Sequence, residues 1–128
     1  CSHNPTRDSA RLQAVLAGVT SAAPTVLVYH SPDMAPEAAA AGINLMLSGH
    51  THGGQLRLPI FGALVTSSIY GKRFEAGEYR LQHPNDRGEA IVYVSRGIGM
   101  EGGIAPRARF LCPPEIVLWT LEGGGDRN

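Results

Sequence analysis

Two short apolar runs, 25–30 (TVLVYH) and 43–48 (INLMLS), are separated only by residues 31–42. Both are rich in branched and large apolar side chains, and neither alternates with polar residues. That pattern reads as strands covered on both faces, as in a parallel sheet. Residues 35–41 between them are alanine-rich and stop at Gly42, which reads as a short helix. The result is a compact strand–helix–strand unit. Its two strands lie parallel, so their carboxyl ends open onto one sheet edge.

The rest of the chain adds to this sheet. In 7–17, Leu12, Val15 and Leu16 stand at i, i+3 and i+4, the apolar stripe of a helix. Residues 77–82 and 89–95 flank the turn-forming string His83-Pro84-Asn85-Asp86-Arg87-Gly88 and read as an antiparallel pair. A final strand is expected at 115–121, after Pro113-Pro114, with the glycine-rich 122–128 as a flexible tail. The glycine-rich stretch 49–62 reads as loop. The fold class is therefore α/β, a mixed β-sheet with flanking helices. Strands apolar on both faces need a layer on each side. A chain of 128 residues is short for both layers, so part of the domain is expected to lie before residue 1. The start at Cys1, without an initiator methionine, reads as a processed product or a fragment.

Lysine plus arginine and aspartate plus glutamate each number 11, so the formal charge is zero. That excludes a nucleic-acid surface built on net basic charge, and a polybasic membrane anchor. No apolar run approaches the ~18 residues of a membrane span, and no signal peptide is visible. Cys1 and Cys112 alone make no disulfide framework and do not report a compartment.

The shared strand edge is where ligands of open α/β sheets bind. His30 ends the first strand, and His50 and His52 follow the second within Gly49-His50-Thr51-His52-Gly53-Gly54. Three imidazoles thus reach one edge from two segments, and neutral imidazole suits zinc, iron or manganese. The alternative is that these rings only hydrogen-bond the loop. His3 and His83 lack such a context.

Gly49-His50-Thr51-His52-Gly53-Gly54-Gln55, preceded by Leu45-Met46-Leu47-Ser48, resembles the GHTHGGQ block of calcineurin-like metallophosphoesterases. Tyr29-His30-Ser31-Pro32-Asp33 is similar to the family's preceding single-histidine motif. Val94-Ser95-Arg96-Gly97-Ile98-Gly99 and Cys112-Pro113-Pro114-Glu115-Ile116 resemble the closing segments of the YkuE/YaeI-like phosphodiesterase branch. The similarity covers about residues 25–121. It implies an α-β-β-α sandwich with two divalent metal ions at the strand ends, in which a metal-activated hydroxide cleaves phosphodiester or phosphomonoester bonds. His30 and His50 would then ligate one ion and His52 the other. The family's DxH, GDxxD and GNH strings are absent. Residues 1–121 therefore resemble the C-terminal half of such a domain, and the missing N-terminal half would be required for a complete site. Three neutral histidines leave two divalent ions without charge compensation, so the chain alone is expected to be inactive. A non-catalytic metal-binding or interaction module is the alternative.

Asp33, Glu37 and Glu101 are carboxylates that could replace a lost one. They read instead as a turn or helix cap, a helix surface and a solvated loop. Arg96, Arg107 and Arg109 fall near the glycine loop, and Arg96 is the candidate for a phosphoester substrate, since a planar guanidinium matches phosphate oxygens. Gly97-Ile98-Gly99-Met100-Glu101-Gly102 spells a dinucleotide fingerprint, but Pro106 and Pro113-Pro114 deny it the long helix it needs. Trp119 reads as core. The stretch 53–70 is apolar for a loop, with Leu56, Leu58, Ile60, Phe61, Leu64 and Val65. It either borders a membrane or amphiphilic substrate or folds onto the core.

Overall fold

A computed structural model describes residues 5–19, 23–84, 88–102 and 107–122. Its centre is a mixed four-stranded sheet made of β1 (Val26–Val28), β2 (Leu45–Ser48), β5 (Gly77–Gln82) and β6 (Glu89–Val94), in the order β1-β2-β6-β5. β1, β2 and β6 run parallel, and β5 pairs antiparallel with β6. The strand–helix–strand unit expected from 25–48 is present. A single 3₁₀ turn, Pro32–Met34, leads into helix α2 (Ala35–Ala40), and Gly42 takes the left-handed turn (φ +77°) that leads into β2. Helix α1 spans Pro5–Leu16.

One sheet face is the core face. Leu27, Met46, Val92 and Tyr79 stand opposite one another across the four strands. Met46 and Val92 are fully buried beneath Met34, Ala35, Ala38, Ile43 and Phe74. The other row, Val28, Leu47 and Tyr93, faces away. Val28 is 77% exposed and Val26 41%. The reading of β1 as covered on both faces is thus corrected, since β1 is an edge strand with one face open. The partners that would cover that face are absent among the described residues.

Three further expectations change. Residues 115–121 form no strand. Glu115 N–H donates to the Gly97 carbonyl at 3.0 Å, but no ladder follows, and Ile116 and Leu118 are exposed. An extended apolar segment needs a neighbouring strand to pair with, and the described residues offer none beside it. Trp119 is not core either. It lies at the surface, edge-on to Tyr93. The loop 49–62 contains a 3₁₀ turn (His52–Gly54) and a small hairpin of β3 (Arg57–Leu58) and β4 (Gly62–Ala63). Three of the residues of the 83–88 turn, residues 123–128 of the tail, and His3 lie outside the described residues.

Candidate metal centre

The parallel ladder continues past the ends of β1 and β2. Tyr29 N–H donates to the Leu47 carbonyl and Gly49 N–H to the His30 carbonyl, each at 3.0 Å. This places His30 beside the start of the glycine loop. His50 then adopts φ +69°, unusual for a non-glycine residue. The combination brings His50 Nδ1 to 3.2 Å from His30 Nε2, with the rings edge-on and their centroids 4.9 Å apart.

His52 goes elsewhere. It too is left-handed (φ +49°), and Gly53, Gly54 and Gln55 continue in that region (φ +63°, +77°, +53°). Non-glycine residues held there cost of order 1–3 kcal/mol each and need a surrounding structure that fixes them. That structure is visible. Thr51, buried, donates its hydroxyl to the Glu75 carbonyl at 2.7 Å. A methyl group on Gly53 would strike Arg96 Cγ and Cys112 Sγ at 2.7 Å, and one on Gly54 would strike Ala63 and the Val65 carbonyl. His52 Nδ1 lies 3.1 Å from the Gly99 carbonyl, and Nε2 lies 3.8 Å from Glu101 Oε1. A carbonyl only accepts, so this contact places a proton on Nδ1 and turns Nε2 outward. A metal-binding histidine is commonly oriented in this way.

Two residues of this arrangement have roles that their sequence positions did not reveal. Gln55, 4% exposed, clasps the backbone of Glu101: its Nε2 donates to the carbonyl (3.1 Å) and its Oε1 accepts from the N–H (2.7 Å). Arg109 spreads its guanidinium over five carbonyls. Nη2 donates to Arg96 (2.9 Å), Gly97 (3.1 Å) and Gly99 (2.6 Å), and Nη1 to His52 and Cys112 (3.3 Å each). It joins the glycine loop to 96–99 and to 112. Gln55 was legible only as the last letter of the motif. Arg109 gave no signal beyond its proximity to two other arginines.

The remaining candidates are placed as follows. Arg96 runs along Gly53 and pairs with Glu115, Nε to Oε2 at 2.7 Å, while its N–H donates to Glu115 Oε1 at 3.1 Å. Burial alone would raise the Glu115 carboxyl, but the Arg96 backbone, hydrogen-bond and charge contacts outweigh it and hold the carboxyl below its ordinary range. Burial, then the Glu115 charge, pushes the Tyr93 phenol up. Asp33 is buried and accepts from the Ser68 hydroxyl (2.6 Å) and Ile69 N–H (3.1 Å), so it ties down the 66–70 loop. Glu37 is not simply a surface residue, because its Oε2 is buried without a partner. Burial and the Asp8 carboxylate, which accepts from Tyr29 Oη at 2.7 Å, push the Tyr29 phenol up to about 12. Residues 97–102 form no helix, so the glycine string is a turn. Arg107 is exposed, and His83 is buried with Nε2 3.0 Å from the Ile43 carbonyl.

The pair stands at hydrogen-bond distance, and its spacing also fits a shared cation. With metal–nitrogen bonds of about 2.0–2.1 Å, neighbouring ligand nitrogens lie about 2.9 Å apart at a right angle and about 3.3 Å apart at the tetrahedral angle. The 3.2 Å between His30 Nε2 and His50 Nδ1 falls between these limits. Yet among the described residues no three histidine, cysteine, aspartate or glutamate side chains gather into a group able to hold a metal ion. The described residues thus bring His30 and His50 together and set His52 apart.

Comparison with known proteins follows the same lines. The chain is 41% identical over 98 residues to the uncharacterized metallophosphoesterase YkuE of Bacillus subtilis, covering 77% of this chain and 31% of that protein. It is 36% identical over 98 residues to the phosphodiesterase YaeI of Escherichia coli, covering 77% and 32%. It is 31% identical over 98 residues to the UDP-2,3-diacylglucosamine pyrophosphatase LpxG of Chlamydia trachomatis, covering 74% and 28%. The chain spans about a third of the length of these curated relatives. No family model and no solved structure matches it. The likeness covers most of the chain, and several of the relatives it joins are named metallophosphoesterases. The chain belongs to the metallophosphoesterase family.

Proposed function

We propose that this chain carries the histidine side of a two-metal phosphoesterase centre and supplies it to an α-β-β-α sandwich whose other half bears the carboxylate ligands. The observation that carries this reading is the convergence of His30 Nε2 and His50 Nδ1 at 3.2 Å. In this reading His30 and His50 hold one divalent ion, manganese, iron or zinc, and His52 holds the second through Nε2. Such ions neutralise phosphoryl oxygens and generate a nucleophile from water at neutral pH. Gly99 fixes the His52 proton on Nδ1, and the left-handed backbone at 50 and 52 aims the two rings apart. Arg96 is the proposed substrate contact. Glu115 takes its Nε and Nη2 edge, which leaves Nη1 for an anion.

The substrate is a phosphodiester or phosphomonoester. The lipid-linked pyrophosphate in the name of LpxG supports an amphiphilic one. Alone, the chain is proposed to bind metal weakly and to turn over nothing, since neutral imidazoles do not offset the charge of two dications. Calorimetric titration of the chain with Mn²⁺ and Zn²⁺ tests this. His30→Ala or His50→Ala removes one binding event and His52→Ala another. Hydrolysis of an aryl phosphodiester by the chain with Mn²⁺ at enzyme-like rates would overturn the proposed dependence on a second half.

A further inference from the structure

The hairpin of β3 and β4 presents an apolar tip that no other described residue covers. Pro59, Ile60 and Phe61 form its turn, with Phe61 N–H donating to the Pro59 carbonyl at 2.8 Å. Ile60 at its apex has φ +71°. An i→i+2 turn with positive φ is the rare, strained form, and a β-branched residue is poorly suited to it. Ile60 is also 103% exposed and Phe61 71%. Glycine or asparagine would relieve the strain and remove apolar surface from water. Isoleucine is therefore unfavourable here on both counts as far as folding is concerned. Leu58, Leu64, Val65 and Ile69 extend the same exposed surface.

The base of the hairpin is rigid and its flank is cationic. Both Glu75 carboxylate oxygens accept from Ala63 N–H at 3.3 Å, and one lies 2.8 Å from Arg57 Nη1. Lys72 Nζ donates to the Phe61 carbonyl at 2.7 Å, which fixes an ammonium group beside the tip. Arg73 follows in sequence, but its guanidinium lies over the Phe74 ring, 5.2 Å from the centroid, so Lys72 is the cation of the tip. Residues 55–74 contain no aspartate or glutamate, and Arg57 is already matched by Glu75. An apolar, aromatic-bearing protrusion with an ammonium fixed beside it and no acid of its own suits an interface that is apolar within and anionic at its surface.

We propose that the 58–65 hairpin is a preformed wedge that inserts Ile60 and Phe61 into lipid bilayers carrying anionic headgroups, with Lys72 at the headgroup level. No helix among the described residues is long and apolar enough to cross a membrane, so this contact is peripheral. The inference is independent of the metal reading, because its test contains no metal.

The full chain is sedimented with vesicles of equal parts phosphatidylglycerol and phosphatidylcholine, in chelator. It is expected to pellet with them, and about fivefold less per cation with phosphatidylcholine alone or after Lys72→Gln. Ile60→Asn combined with Phe61→Ser is expected to lower partitioning about 150-fold or more, as burial of two apolar side chains requires. Asparagine tolerates the left-handed backbone, so the melting temperature of this variant does not fall and lost binding is not lost folding. Leu118→Asn, at a second exposed apolar site, is expected to bind as the parent does. The proposal is overturned if the chain stays in the supernatant, if the tip variant pellets like the parent, or if Leu118→Asn abolishes binding. It is likewise overturned if the tip variant instead dissolves a dimer seen without vesicles, which would make the tip a protein contact.

Discussion

Replacing Arg109 by alanine tests whether one guanidinium holds the candidate centre together. Its three Nη2 bonds, to the carbonyls of Arg96, Gly97 and Gly99, are 3.1 Å or shorter. Nη2 has two hydrogens to share among them, and the longer Nη1 contacts to His52 and Cys112 add about one more bond, so at about 1 kcal/mol net per bond the fork totals about 3 kcal/mol. The Gly99 carbonyl lies at the exposed end and regains water in the variant, so about 2–3 kcal/mol is expected. For a chain of this length that corresponds to a fall in melting temperature of about 10 °C. A thermal melt and a urea midpoint measure it. Arg109→Lys keeps the charge but lacks the fork, and falls between. Arg107→Ala, at an exposed side chain, stays within about 0.5 kcal/mol of the parent. A loss under about 1 kcal/mol for Arg109→Ala would refute the reasoning and leave 96–99 held by the Arg96–Glu115 pair. The nitrogen spectrum of His52 adds a local check. With Gly99 no longer pinned, the proton leaves its fixed place on Nδ1 and the two tautomers average.

Gly54→Ala should be severely destabilising, by about 3 kcal/mol or more, because the new methyl meets Ala63 and the backbone is left-handed; a urea melt reads it. Asp33→Ala leaves Ser68 and Ile69 without their buried acceptor and should cost about 2 kcal/mol, with faster proteolysis in 66–70 as the local readout. The Glu115 carboxyl sits below its unfolded value, so its contribution is full above the unfolded pKa of about 4.3 and is lost as pH falls through the lower folded value. Glu115→Gln should therefore flatten the acid limb of a stability–pH curve and change it least at pH values below the folded value.

The parts of the fold that follow a local period were legible. Leu12 and Leu16 set α1, and the apolar run 43–48 with the alanines before it set β2 and α2. The 83–88 turn string correctly separated β5 from β6. The 115–121 segment misled because apolar composition gives a strand's propensity but not its partner. Ile116 and Leu118, inside the expected strand, stand in solvent for want of a neighbour. Glu37 misled in the opposite direction, since its helix position said nothing of the burial of its Oε2.

The histidine block shows why the rest was hidden. By its letters it is one metal-binding string, but hydrogen bonds between distant segments divide it. His50 belongs to the β1–β2 edge, because Gly49 pairs with His30 and brings the two rings together. His52 belongs to the 96–101 loop, through a Gly99 carbonyl that Arg109 also holds. Residues two apart in an extended chain would point the same way. Left-handed backbone at 50 and again at 52–55 defeats that rule, and glycine at 53 and 54 leaves room for the neighbours that enforce it. A site that serves two ions needs such a break in direction. On the two-metal proposal, the left-handed backbone at His50 and His52 would serve two separate ligand positions.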